Sequence, residues 1–149
     1  MGRWDREALE DAEELLARAS AQRRLGPYQL EAAIQSAHCQ RRLGANVPGE
    51  ALLALYDGLV ALRPNAGALV SRACAVEAVL GAKAALTALA ELPQEWIRNY
   101  QPYWAVRAHL LQSERRSEEA STAYDMAIAL AQSPAIKKYL LEKRSRLSR

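Results

Sequence analysis

The sequence predicts an all-α protein, and three observations predict it. Thirty of its 149 residues are Ala and 22 are Leu, whereas Val, Ile and Thr together number only 12. Ala and Leu are the strongest helix formers, while pleated sheets favour β-branched side chains. Apolar residues recur at the three- and four-residue spacing of one helical face. Gly and Pro interrupt that periodicity at short intervals, so the helices are short and closely joined. A chain of 149 residues suits a single domain with a core that needs no disulfide support.

Trp4 to Gln22 reads as a first helix, with Asp5 as its cap and Leu9, Ala12, Leu15, Leu16 and Ala19 on one face. Gly26-Pro27 starts a second, running through Leu30, Ile34 and Ala37 to about Leu43, with Gly44 as its stop. A third follows Pro48-Gly49 and carries Leu52, Leu55, Tyr56, Leu59 and Leu62 until Arg63-Pro64-Asn65. A fourth covers Ala66–Leu80 and ends at Gly81. A fifth covers Ala82–Leu92 and is closed by Pro93. The aromatic segment Trp96–Trp104 begins as a connection. A sixth helix then runs from near Pro102 to Gln112. After a turn at Ser113–Arg116, Ser117 caps a seventh helix reaching Ala131, and Ser133-Pro134 starts an eighth with Ile136, Leu140 and Leu147 on one face. Short joints imply antiparallel neighbours stacked in chain order.

Composition removes several function classes. No apolar run is long enough to span a membrane, and the N-terminus has no signal core. Cys39 and Cys74 make neither a disulfide framework nor a metal set, which points to the cytoplasm. The net charge of +3 is unevenly placed: the first 20 residues carry three Arg against six acids. Residues 137–149 carry six cations against Glu142 alone. Basic excess confined to a tail is not the stripe that reads DNA, so no direct nucleic-acid binding is expected. The tail reads as a terminal helix whose cations sit at its negative dipole end.

A longer period is also present. Tyr56 and Tyr124 lie 68 residues apart, twice the 34-residue length of the tetratricopeptide helix–turn–helix unit. That unit alternates large and small residues on its first helix and places an aromatic between two small residues on its second. Trp104, Ala108, Leu111, Ala120, Tyr124 and Ala127 fill all six places. One period earlier stand Val70, Cys74, Glu77, Gly81, Leu86 and Ala90, a looser match. One further back stand Leu52 and Tyr56, followed by Pro64. The expected architecture is a tetratricopeptide-like stack of antiparallel hairpins, about eight helices in a right-handed superhelical array, as one domain over 1–149.

No catalytic constellation stands out. A Gly-rich phosphate loop, HExxH, paired-Cys motif and Gly-x-Ser-x-Gly elbow are all missing, so neither enzyme activity, nor a cofactor, nor a metal is expected. Adjacent His38 and Cys39 project about 100° apart on a helix and do not suit one metal. His38 reads as a partly buried hydrogen-bonding residue or a proton carrier, and Cys74 as a small core residue. The groove-facing places are Ala68, Ser71, Ala75, Ala78 and Val79 in the middle unit, and Pro102, Ala105, His109, Gln112 and Ser113 in the last. That lining is small and nearly uncharged, so it receives a helix or simply packs against the next hairpin. Trp96–Trp104 is either a hydrophobic plug or a docking patch.

Several phrases go beyond a generic repeat. Trp4-Asp5-Arg6, Leu15-Leu16-Ala17-Arg18-Ala19 and Gly26-Pro27-Tyr28-Gln29-Leu30-Glu31-Ala32-Ala33-Ile34 with His38 form one block. Leu55-Tyr56-Asp57, Arg72-Ala73-Cys74-Ala75-Val76, Arg107-Ala108-His109-Leu110-Leu111 and Glu119-Ala120 to Tyr124 continue it. Together they resemble the C-terminal tetratricopeptide-like extension of a group of bacterial extracytoplasmic-function sigma factors. Ser71 stands where that family usually has Asn, and Arg115 replaces a turn Gly. Ser133-Pro134-Ala135 replaces its acidic start to the last helix. The family's two promoter-binding domains are expected to be absent from this chain.

The resemblance implies a cytoplasmic, non-catalytic regulatory domain that modulates transcription initiation. Its expected partners are the sigma factor's own promoter-binding domains, core RNA polymerase, or both, with no membrane. Candidate contact residues are Trp4, Asp5 and Arg6 at the junction, Tyr28 and Gln29 in the most specific block, Ser71, His109 and Gln112 at groove-facing places, and Arg72 and Arg107 in the matched phrases around them. The other open reading is a stand-alone tetratricopeptide-like adaptor for an unrelated protein.

Overall fold

Helix starts and stops follow backbone chemistry closely. The structure, a computed structural model, describes residues 26–148. Pro27 occupies the first position of α1 (Pro27–Arg42), where its fixed φ suits a helix and its missing N–H is not needed. Gly44, at φ 92°, closes α1: its N–H donates to the carbonyl of Arg41, and the N–H of Ala45 donates to Gln40. These paired bonds satisfy carbonyls that the helix end would otherwise leave orphaned. After a short joint comes α2 (Gly49–Leu62), and Asn65 then caps α3 (Ala66–Leu80) by accepting from the Ala68 N–H at 2.8 Å. Gly81, at φ 94°, separates α3 from α4 (Ala82–Ala90) with no intervening loop.

Pro93 terminates that run, and a single turn, α5 (Gln94–Ile97), leads to α6 (Gln101–Ser113). A three-residue joint connects α6 to α7 (Ser117–Leu130), and Ser133-Pro134 opens α8 (Pro134–Ser145), which ends in a 3-10 turn at Arg146–Ser148. The described residues are helical throughout, with no strand. None of their helices is long and apolar enough to cross a membrane.

The contacts divide the chain into two compact units, Met1–Ala68 and Leu69–Arg149, the division falling inside α3. In the first, α1 packs on α2 through Leu30, Ile34, Leu52, Leu55 and Leu59, all buried. Gly58 lets the helices approach, since a Cβ there would sit 3.3 Å from Leu30 Cδ1. His38 Nε2 lies 3.1 Å from the Tyr56 hydroxyl, which makes His38 the partly buried hydrogen-bonding residue that the sequence suggested.

In the second unit α6 packs most extensively on α7, with α4 against α6 and α8 against α7. Ala108, Ala120 and Ala127 are fully buried, and Leu111 and Tyr124 nearly so. Small side chains bring the two helices together, and Leu and Tyr fill the space that remains. This is the alternation read in the sequence, with one exception. Trp104 is only half-buried, while its neighbour Tyr103 is buried and meets the indole edge-on at 5.1 Å between ring centres.

Other expectations need correction. Cys74 is exposed, and Ala73 beside it takes the fully buried place. α3 is apolar on most of its circumference, so periodicity does not select one face, and packing does. For the same reason Ala68, expected to face a groove, is buried. Leu62 and Ile136 are exposed although their spacing put them on packed faces. The fifth expected helix stops at Ala90 rather than Leu92, because residues just before Pro93 are biased away from helix. Ser117 is the first residue of α7 rather than its cap. The expected helix at Trp4–Gln22 lies outside the described residues.

Candidate functional site

His109 projects from the α6 surface because its neighbours Ala108 and Leu110 are both buried and fix the helix rotation. Its Nε2 lies 2.9 Å from Glu77 Oε1 on α3, and both side chains are partly exposed. His109 also lines a pocket of about 180 Å³, with Cys74, Ala105, Val106, Tyr124 and Lys143 among its walls. Tyr124, nearly fully buried, donates its hydroxyl proton to Gln112 Oε1 at 2.6 Å. Burial, with Tyr139 second, holds the Tyr124 phenol above its ordinary pKa.

The Cys74 thiol is also pushed up, first by burial of part of its surface and then by the Glu77 charge. A thiol held in its neutral form is a poor nucleophile. Cys74 and His109 therefore line one pocket, with Glu77 bonded to His109 beside it, without the electrostatics of an activated cysteine. Among the described residues no group of three His, Cys, Asp or Glu side chains is placed to hold a metal. The arrangement is a small concavity with a polar rim at His109 and apolar walls.

His109 lines this pocket, and Gln112 accepts from Tyr124, another of its lining residues. Arg107, two residues from His109, lies on another side of α6 and lines a separate cleft with Trp104. Ser71 and Arg72 are half-buried on α3. Tyr28 and Gln29 belong to the first unit, both exposed, and the Arg63 guanidinium lies over the Tyr28 ring at 5.1 Å. Trp4, Asp5 and Arg6 lie outside the described residues. Glu77 was missed as a site residue. Its place in the repeat register marked a large core side chain, and only its distance of nearly one period from His109 hinted at contact.

The aromatic segment divides between the two readings it carried. Ile97 and Tyr103 are buried, which is the plug, while Trp96 is 39% exposed. On the last helix, the Arg144 guanidinium pairs with Asp125 of α7 at 2.7 Å, so one tail cation helps hold α8 in place. Lys143 and Arg144 fall in its last turn, where cations complement the helix dipole.

No family model matches the chain, and no solved structure matches it. It is similar to an uncharacterized protein of Rhizobium meliloti (strain 1021), with 37% identity over 128 residues. That stretch is 86% of this chain but 30% of the relative, so the chain spans under a third of the relative's length.

Proposed function

We propose that this chain is a non-catalytic, tetratricopeptide-like regulatory domain of an extracytoplasmic-function sigma factor. In this reading it is cytoplasmic and modulates transcription initiation by contacting the promoter-binding domains or core RNA polymerase. The observation that carries the reading is the exposure of its most family-specific block. Leu30 of the Gly-Pro-Tyr-Gln-Leu phrase is buried, but Tyr28 is 71% exposed and Gln29 is exposed beside it. A core has no use for an exposed aromatic. A docking edge does, because Tyr and Arg are frequent anchors of protein interfaces, and Arg63 already lies over the ring. The relative is consistent with this, since more than two-thirds of its length lies outside the matched stretch and leaves room for further domains.

The test is direct binding of this chain to purified promoter-binding domains of such a sigma factor and to core RNA polymerase, by calorimetry. Binding to at least one is expected, weakened at least tenfold when Tyr28→Ala and Arg63→Ala are combined. Binding to neither overturns the reading and leaves the adaptor for an unrelated protein as its successor.

A further inference from the structure

Pro93 has an effect beyond ending a helix. α4 is nine residues long, against 14 for α7, its counterpart in the next hairpin. The missing turn leaves a half-enclosed cleft of about 500 Å³ between α4, α5 and the α6/α7 hairpin. That volume lies in the range of small-ligand sites, and so does the mixture of apolar walls with a few polar groups. Leu92 and Ile97, each mostly buried, edge the cleft with a little apolar surface, the half-buried Trp104 offers an indole, and the largely buried Tyr103 ring lies behind it. The indole N–H donates to the Arg98 carbonyl at 3.2 Å, which ties the Arg98 backbone to α6.

The charges in the cleft are unbalanced in a specific way. Arg98, Arg107 and Glu119 all line it. Glu119 is already held by the fork of Arg116, at 2.7 and 2.9 Å, and this hydrogen bonding pulls its carboxyl below the usual range. Neither Arg98 nor Arg107 has a carboxylate at ion-pair distance among the described residues. With Glu119 neutralised by Arg116, the guanidinium groups of Arg98 and Arg107 leave an excess of two positive charges at the cleft. A planar guanidinium fork matches a carboxylate, and aromatic rings accept another ring edge-on or offset. Inorganic phosphate has no ring to set against the aromatic and apolar side of the cleft, which an aromatic carboxylate has.

We propose that this cleft binds a small aromatic monocarboxylate, its ring against Trp104 and its carboxylate between Arg98 and Arg107. The site is independent of the sigma-factor reading and stands whether or not that reading holds. It would give the domain a small-molecule input on a different side of α6 from His109.

The test titrates the full chain with 2-naphthoate, read by calorimetry and by the NMR shift of the Trp104 indole N–H. Saturable binding is expected, at least tenfold weaker for 2-naphthamide, acetate or inorganic phosphate. Arg107→Met and Arg98→Met should each weaken it at least tenfold. Thr122→Trp fills the cleft from an exposed position, keeps both arginines and should abolish binding, which decides the matter if an arginine variant fails to fold. The proposal is overturned by no saturable 2-naphthoate binding at millimolar concentration. Equal binding of the amide or phosphate, or full binding by the Thr122→Trp protein, overturns it as well.

Discussion

The hydroxyl of Tyr124 donates to Gln112 Oε1 at 2.6 Å, joining the middle of α7 to the last turn of α6. Tyr124→Phe keeps the packed ring but leaves the half-buried amide oxygen without its donor, so it should cost about 1 kcal/mol in urea unfolding. The burial of this phenol also sets an alkaline response. Burial raises the folded pKa of this phenol. Above the ordinary tyrosine pKa of about 10 the unfolded chain gives up its proton first. The folded state then holds more protons, so stability falls as pH rises. The Tyr124→Phe protein should lack that part of the slope, which begins at about pH 10 and continues up through the raised folded pKa.

Arg115 sits at φ 59° in the joint between α6 and α7, making the same pair of closing bonds that Gly44 makes after α1. A side chain in this left-handed region costs about 1–2 kcal/mol, partly offset because glycine loses more chain entropy on folding. Arg115→Gly should therefore stabilise the protein by roughly 0.5–1 kcal/mol. A denaturation midpoint that does not rise would show the turn to be relaxed with Arg.

Gly81 should behave in the opposite way. Its φ of 94° and ψ of 172° fall where only glycine is at ease, though no neighbouring atom would touch an added Cβ. Gly81→Ala is expected to cost about 1–3 kcal/mol through backbone strain alone. The gain in helix propensity is too small to cancel it. Thermal unfolding of the variant measures the difference.

Ala120 is fully buried where α7 meets α6. Ala120→Leu adds three carbons to a contact that depends on close helix approach, and overpacking of this kind costs about 1–3 kcal/mol. At exposed Ala129 the same change should be near neutral in the same assay. Equal effects at the two positions would mean that Ala120 is not a close-contact position.

Much of the α6/α7 hairpin was readable beforehand, since Ala108, Leu111, Ala120, Tyr124 and Ala127 all take the places their spacing assigned. Alternation of large and small residues is a strong signal because it constrains two faces at once. α3 gave no such signal. With Ala, Val, Cys and Leu around its circumference, it offers several apolar faces of similar quality, and Cys74 was assigned to the wrong one. Trp104 and Tyr103 are adjacent aromatics, and periodicity could not say which of them would be buried.

The sequence alone determined helix content, the breaks at Gly44, Gly81 and Pro93, and the repeat register of the last hairpin. These are local matters: backbone freedom at a residue, a missing N–H, side-chain size at fixed spacing. Tertiary structure decided which face of α3 is buried, that His109 meets Glu77, and that a shortened α4 opens a cleft beside two arginines. Each depends on the rotation and separation of helices distant in the chain, which packing energy fixes only once all the partners are in place.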